Sequence, residues 1–142
     1  VRAGVYTFTV TKFERGLTIL GQPGNGSDGN VAGGLSVPKY GQYYVAVVSE
    51  RNVSGQPQPI PFDAHMVGTK GSVYENDTDP VVLTNAQIEF LGVNYSLQSE
   101  VNPGTAYQDV FVWDVPASVH PSTVTIDAGF GVSSGTVSVS SG

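Results

Sequence analysis

Two runs of β-branched and aromatic residues constrain this chain more than anything else in it: Tyr43-Tyr44-Val45-Ala46-Val47-Val48 and Val110-Phe111-Val112-Trp113. Such residues lose rotamer freedom in a helix and pack well on a pleated surface. The first run is apolar on both faces, which predicts a central strand. The second stops at Pro116. Period-two alternation puts Phe111 and Trp113 on one side of it and Val110 and Val112 on the other. We read Phe111 and Trp113 as core.

Shorter strand signals surround these two. Tyr6 to Phe13 alternates, with Tyr6, Phe8, Val10 and Lys12 expected on one face and Phe13 with the threonines on the other. Leu17–Leu20, Phe62–Gly68, Val73-Tyr74, Val124–Phe130 and Val137–Val139 read as further strands. Turn chemistry separates them. Thr69-Lys70-Gly71-Ser72 reads as a hairpin turn, and Asn102-Pro103-Gly104 puts Pro and Gly at the centre of a type II turn. Prolines at 57, 59 and 61 exclude 56–61 from a ladder interior. Residues 75–80 read as an acidic loop, and one helical turn around Asn85 to Phe90 is the most helix expected. The sum is an all-β antiparallel β-sandwich of roughly eight to ten strands, turning every eight to twelve residues.

With 142 residues the chain reads as a single domain over 1–142, with a Gly-rich loop at 21–34 that has nothing to pack a core with. Charged residues are only 13%, so the polar surface rests on Gly, Ser, Thr, Asn and Gln, as in many extracellular β-proteins. The net charge of −6 disfavours nucleic acid and anionic membrane surfaces, both of which select Lys and Arg. Without cysteine there is no disulfide, thiolate nucleophile or Cys-based zinc site. No apolar run is long enough for a membrane span. The chain opens at Val1-Arg2-Ala3-Gly4, and we expect any signal or lipid anchor to lie outside it.

The order of these segments resembles a known family. The resemblance begins with Phe8-Thr9-Val10-Thr11-Lys12-Phe13 and Gly16-Leu17. It continues through Gly41–Val47 to Arg51-Asn52, then Phe62-Asp63-Ala64 and Gly71-Ser72-Val73-Tyr74. It ends with Asn102-Pro103-Gly104 leading into Val110–Pro116. Together they resemble an immunoglobulin-like β-sandwich domain family of unknown function. That family occurs in exported proteins and lipoproteins of Gram-positive bacteria, notably actinobacteria, and the small secreted immunogenic protein of mycobacteria is a relative. The resemblance implies an immunoglobulin-like fold and an extracellular or cell-surface location, and supplies no catalytic residues. Two features depart from it, the length of the Gly-rich loop and the size of Trp113.

Each motif with chemical potential has a plainer reading. Gly131-Val132-Ser133-Ser134-Gly135 matches the G-x-S-x-G nucleophile elbow. That elbow needs a helix after it and an acid and a histidine later in the chain. Neither follows, so it reads as a turn between the last two strands. Asp63 and His65 share a strand face and could join a distant serine as a hydrolase site, or with His120 approach a metal set. A polar pair on a sheet face is the plainer account.

Glu75, Asp77 and Asp79 alternate in one loop beside Asn76, a spacing that suits calcium, which takes six to eight oxygens. Asp28, in the Gly-rich loop, is a candidate fourth ligand. A solvated acidic turn is the simpler reading, and no cofactor is otherwise expected. Asn25, Asn52, Asn76 and Asn94 each begin an N-x-S/T acceptor, incidental in a bacterial protein. Exposed tyrosines among Tyr40, Tyr43, Tyr44, Tyr95 and Tyr107 would suit stacking on a sugar.

The functional expectation is a non-enzymatic, exported or cell-surface monomer that contacts a cell-envelope or host protein or glycan. Recognition in such folds sits in end loops. Asn25, Asp28 and Asn30 in the Gly-rich loop and Asn76 in the acidic loop are the candidate binding residues. A passive structural spacer is the alternative, and an exposed apolar patch would favour binding over spacing.

Overall fold

The computed structural model describes residues 2–21, 35–61, 63–92, 100–127 and 134–139, and the 43–48 run lies within its most interior strand. In chain order the elements are β1 (Arg2–Ala3), β2 (Tyr6–Leu17), β3 (Leu20–Gly21), β4 (Leu35–Ser36), β5 (Gly41–Asn52), β6 (Gln58–Pro59) and β7 (Asp63–Gly68). There follow β8 (Val73–Glu75), α1 (Pro80–Leu91), β9 (Glu100–Val101), β10 (Ala106–Pro116), β11 (Pro121–Asp127) and β12 (Ser134–Ser138). Two four-stranded sheets, β1-β2-β5-β10 and β12-β11-β7-β8, are antiparallel throughout. Lettered in the immunoglobulin manner, β2, β5 and β10 are A, B and E, while β7, β8, β11 and β12 are C, C′, F and G. The expected immunoglobulin-like sandwich is therefore present.

One core fills the space between the sheets. Tyr6 and Phe8 of β2, Tyr44, Ala46 and Val48 of β5, and Phe111, Trp113 and Val115 of β10 meet Ala64, Met66, Val124 and Ile126 from the other sheet. Phe111 and Trp113 lie 6.3 Å apart, fully inside, as alternation predicts. Val45, Val47, Val110 and Val112 emerge on the opposite face, where α1 covers them with Val82 and Ala86. Both faces of β5 are thus buried because the sheet is the middle of three layers.

Helix α1 is the main correction to the sequence reading, which expects no more than a turn there. It runs twelve residues, from Pro80 through most of the segment read as ambiguous. Asp79 caps it by accepting from the Val81 N–H at 2.9 Å, Pro80 supplies the pre-set first turn, and Gly92 closes it in the left-handed conformation at φ 73°. These signals stand in the sequence as Asp-Pro and a later Gly. The β-branched Val81, Val82 and Thr84 argue against a helix locally, and burial against β5 and β10 overrides them.

A second correction concerns Phe13. The pairing of β2 with β5 steps from Val10↔Val48 to Lys12↔Val47, so Thr11 is an extra residue. A bulge of one residue sends every later side chain to the other face. Phe13 therefore joins the inter-sheet core, stacked on Tyr44 with ring centroids 5.8 Å apart, while Lys12 points outward over the Phe90 ring of α1.

The turns follow their sequence chemistry. Thr105 N–H donates to Asn102 O at 3.1 Å, and Gly104 takes φ 74°, as a type II turn requires. Gly68 and Ser72 close the β7–β8 hairpin. The proline segment contributes only the two-residue β6, bridged to β9. Tyr6 Oη donates to Pro59 O at 2.6 Å and ties β6 to β2.

Candidate functional site

The largest hollow described opens beside α1, with a volume of about 440 Å³. Its wall on one side is the approach to β5, with Val37, Lys39 and Tyr40. On the other it is Glu75, which ends β8 where the sequence reading expects loop, and the β8–α1 connection from Asn76 to Asp79, with Val82 of the helix. Tyr43 of β5 and Asp114 of β10 form its floor, facing each other as a direct cross-strand pair. The sequence candidates Glu75, Asn76, Asp77 and Asp79 are therefore brought to one cleft. Asn25, Asp28 and Asn30 lie outside the described residues.

Backbone hydrogen bonds set the shape of this cleft. Asp77 N–H donates to Val112 O at 2.6 Å and Asn76 N–H to Ala64 O at 3.0 Å, stapling the acidic segment across the open edge of both sheets. Asp114 accepts from the N–H groups of Lys39 and Tyr40 with its two oxygens, fixing the opposite wall. Asp77 Oδ1 accepts from Asp79 N–H and Asp79 Oδ1 from Val81 N–H. Among the described residues the second oxygens of Asp77 and Asp79 take no hydrogen bond, while Glu75 pairs across from His65 on the outer face of β7 and β8. Among the described residues no group of three or more histidines and carboxylates is drawn close enough to hold a metal ion.

The Tyr43 side chain is 1% exposed and lies on the cleft floor. Burial, with the charges of Asp114, Asp77 and Asp79, pushes its pKa up to about 12. Exposed apolar groups crowd the same region. Tyr40 is 61% and Val37 68% exposed, and Leu35 and Val81 lie in the segments bordering the cleft. Tyr40 also carries the Lys39 ammonium over its ring, 5.4 Å from the centroid. Among the described tyrosine candidates its ring is the exposed one, because Tyr43, Tyr44 and Tyr107 are buried, and Tyr95 lies outside the described residues.

The two loops singled out in the sequence are linked through α1. Strands β3 and β4 pair as Leu20↔Ser36 and Gly21↔Leu35. Asn85 Nδ2 donates to Ser36 Oγ at 2.8 Å inside the protein, and Gly21 N–H donates to Glu89 Oε1 at 3.0 Å. Gly21 and Ser36, on either side of residues 22–34, are thus bonded to the helix whose cap borders the cleft.

Other sequence candidates disperse. Asp63 and His65 share the outer face of β7, with Ala64 and Met66 inward, and no described hydrogen bond joins them to each other or to a serine. His120 sits at the β7–β8 turn, where its carbonyl accepts from Thr69 N–H. Residues 131–133 lie outside the described set, and Ser134 enters strand β12 where an elbow would need a helix. Asn52 is fully buried. It donates to Gln56 O and Val101 O and accepts from Ser54, so it is a structural junction and not a glycan acceptor.

One group escapes the sequence reading. Glu50 continues the core face of β5 after Tyr44, Ala46 and Val48. It is 0% exposed, and neither carboxyl oxygen has a partner among the described donors. Asp109 stands on the same face of adjacent β10, diagonal to it. Burial raises both carboxyls, Asp109 to about 6 and Glu50 well above the usual range, where the neighbouring Asp109 adds to the effect. Asp109 borders a hollow of about 160 Å³ near Ile60 and Gln87, but Glu50 behind it has no exposed surface for a substrate to reach. The alternation Tyr44-Ala46-Val48-Glu50 carries the signal that would have found it.

Neither a family model nor a curated protein sequence matches the chain. Solved structures do match in fold. A conserved hypothetical protein from Bacillus anthracis aligns with a TM-score of 0.66 at 15% identity, covering 94% of this chain and 89% of that one. An uncharacterised β-sandwich protein from Clostridium difficile aligns at 0.55 and 12% identity, over 98% and 88%. The secreted protein MPT63 from Mycobacterium tuberculosis aligns at 0.51 and 14% identity, over 91% and 78%. The fold is the β-sandwich of these proteins. Among the described residues no helix is long and apolar enough to cross a membrane.

Proposed function

We propose that this chain is a non-enzymatic, exported or cell-surface recognition module that holds a partner of the cell envelope or host in the cleft beside α1. One observation carries the reading: a cleft of about 440 Å³ gathers Asp77, Asp79 and Asp114 with exposed Tyr40 and Val37 at one end of the sandwich. An exposed apolar cluster rimmed by polar groups is what separates a binding face from a passive spacer. Likeness in fold to a secreted mycobacterial protein supports the extracellular location. The Glu50–Asp109 pair does not argue for catalysis, because a reacting group must come within hydrogen-bond reach of Glu50, and Glu50 is enclosed.

The test is capture from an envelope extract by the purified domain, beside a Tyr40→Ala/Val37→Ser variant and a variant lacking residues 24–33. A partner retained by the parent and lost with the cleft variant is the expected result. Equal retention by the cleft variant would move the site elsewhere. No specific partner from envelope or host material would leave the spacer reading in its place.

A further inference from the structure

We propose that residues 56–61 and β9 form a strap over one end of the core that a proton latches: it lies closed while Glu50 is protonated and lifts when Glu50 ionises, letting water reach the carboxylate. Glu50 is 0% exposed, and neither of its oxygens has a described partner. Across the ladders it faces Phe8 of β2 and Tyr107 of β10, with Tyr6 and Asp109 diagonal to it. The opposite sheet brings Ala64, Met66, Val124 and Ile126 to this core, and none of these titrates. Asp109 acts on Glu50 as a like charge, and no cation does. From the strap, Glu100 acts together with Glu50 on Tyr6. A carboxylate enclosed in this way loses its hydration with nothing in return, so its ionisation must bring water in.

The way in is set by how the strap is attached. Strands β6 and β9 belong to neither large sheet and pair over two residues. Pro57, Pro59 and Pro61 bring no N–H groups, so a longer ladder cannot form there. Side chains hold the strap instead. Tyr6 Oη donates to Pro59 O at 2.6 Å, and Asn52 Nδ2 donates to Gln56 O at 2.7 Å and to Val101 O at 2.8 Å. Both anchors stand at the Glu50 end of the sandwich, Asn52 two residues further along β5 and paired with Tyr6. Val101 is fully buried and Ile60 packs on the core, while Ile60 and Pro61 wall the hollow that Asp109 borders. The ladders of β2, β5 and β10 around Glu50 cannot part without breaking the sheet, whereas the strap can lift at the loss of a few bonds. Burial, then the charges of Glu50 and Glu100, push the Tyr6 phenol up to about 12, so this anchor keeps its proton while the carboxyls titrate.

The experiment is amide hydrogen exchange across the neutral range, each rate divided by its intrinsic rate to give a protection factor. The amides of β6 and β9 should lose protection about tenfold per pH unit, because lifting the strap releases one proton. Gly68 and Asn76 N–H, bonded in and beside the β7–β8 hairpin, should stay level. The amides of Val45 to Val47 should be better protected than the strap at every pH, since their exchange waits for the sheet to part. Glu50→Gln keeps the shape and carries no charge, and should leave the strap amides protected and level with pH. Tyr6→Phe removes an anchor and should lower strap protection about fivefold at every pH, one hydrogen bond, with the slope intact. A slope that survives Glu50→Gln, or an equal slope in the hairpin, would overturn the proposal. So would strap and β5 amides exchanging together, or strap protection indifferent to Tyr6→Phe.

Discussion

Glu50 is the residue whose chemistry departs furthest from its surroundings. It sits in an apolar core facing Asp109 on β10, with Tyr6 and Phe8 of β2 beside it, and Glu100 of β9 also acts on Tyr6. No described lysine, arginine or histidine pairs with it; the described ion pair, Lys12–Glu14, is at the surface. The folded pKa of each carboxyl is raised above its unfolded value near 4. The fold therefore holds protons that the unfolded chain releases. That contribution to stability is fully present below pH 4 and is lost as the pH rises through about 6 and beyond. Each extra proton held gives a slope of about 1.4 kcal/mol per pH unit. Glu50→Gln should raise the Tm at pH 8 and flatten its dependence between pH 5 and 8. A slope unchanged in thermal melts would show that Glu50 holds no extra proton in the fold. Asn52 makes the opposite case, a buried polar group fully used. Asn52→Ala should cost about 2–4 kcal/mol in urea unfolding, because several backbone partners lose their bonds at once.

Among the elements, α1 decides most about function. It covers the outer face of β5 and β10, clamps the base of the Gly-rich segment, and carries Val82 and Asp79 to the cleft. Its N-terminal cap is one side chain. Asp79→Ala should lower stability by about 1 kcal/mol, read from denaturant midpoints, since Val81 N–H loses its acceptor. Asp79→Asn should retain most of that stability, since an amide oxygen caps as well, and so separates the cap from the charge. The helix was half legible. Asp79-Pro80 and Gly92 mark its ends, but Val81-Val82-Leu83 looks like a strand until β5 and β10 are there to cover. Likewise the bulge at Thr11 leaves no local trace. It shows only in the pairing of β2 with β5, and it moves Phe13 from one face to the other.

Across the whole molecule, a three-layer arrangement separates stability from variation. The sandwich core and the helix-covered face together enclose the large side chains. Gly21 and Leu35, on either side of residues 22–34, are paired, and Gly21 and Ser36 are bonded to α1. Removing residues 24–33 should therefore leave the Tm within a few degrees, because β3, β4 and their bonds to Asn85 and Glu89 remain. A large loss of Tm in that deletion would mean the segment packs on the core. Phe111→Ala, by contrast, should cost about 3–5 kcal/mol, as a cavity opens between the sheets.

By itself the sequence determined the fold class, the two interior strands, the turns at 69–72 and 102–104, and which aromatics on 110–113 face inward. These depend on period-two alternation and turn chemistry, which act within a few neighbouring residues. Only the tertiary structure decided that Glu75, Asp77 and Asp79 share a cleft with Tyr40, Tyr43 and Asp114, and that Glu50 faces Asp109. It also decided that residues 80–91 coil into a helix. Those outcomes depend on which strands become neighbours and what must cover an apolar face, and contacts spanning thirty to seventy positions leave no pattern in any one stretch of chain.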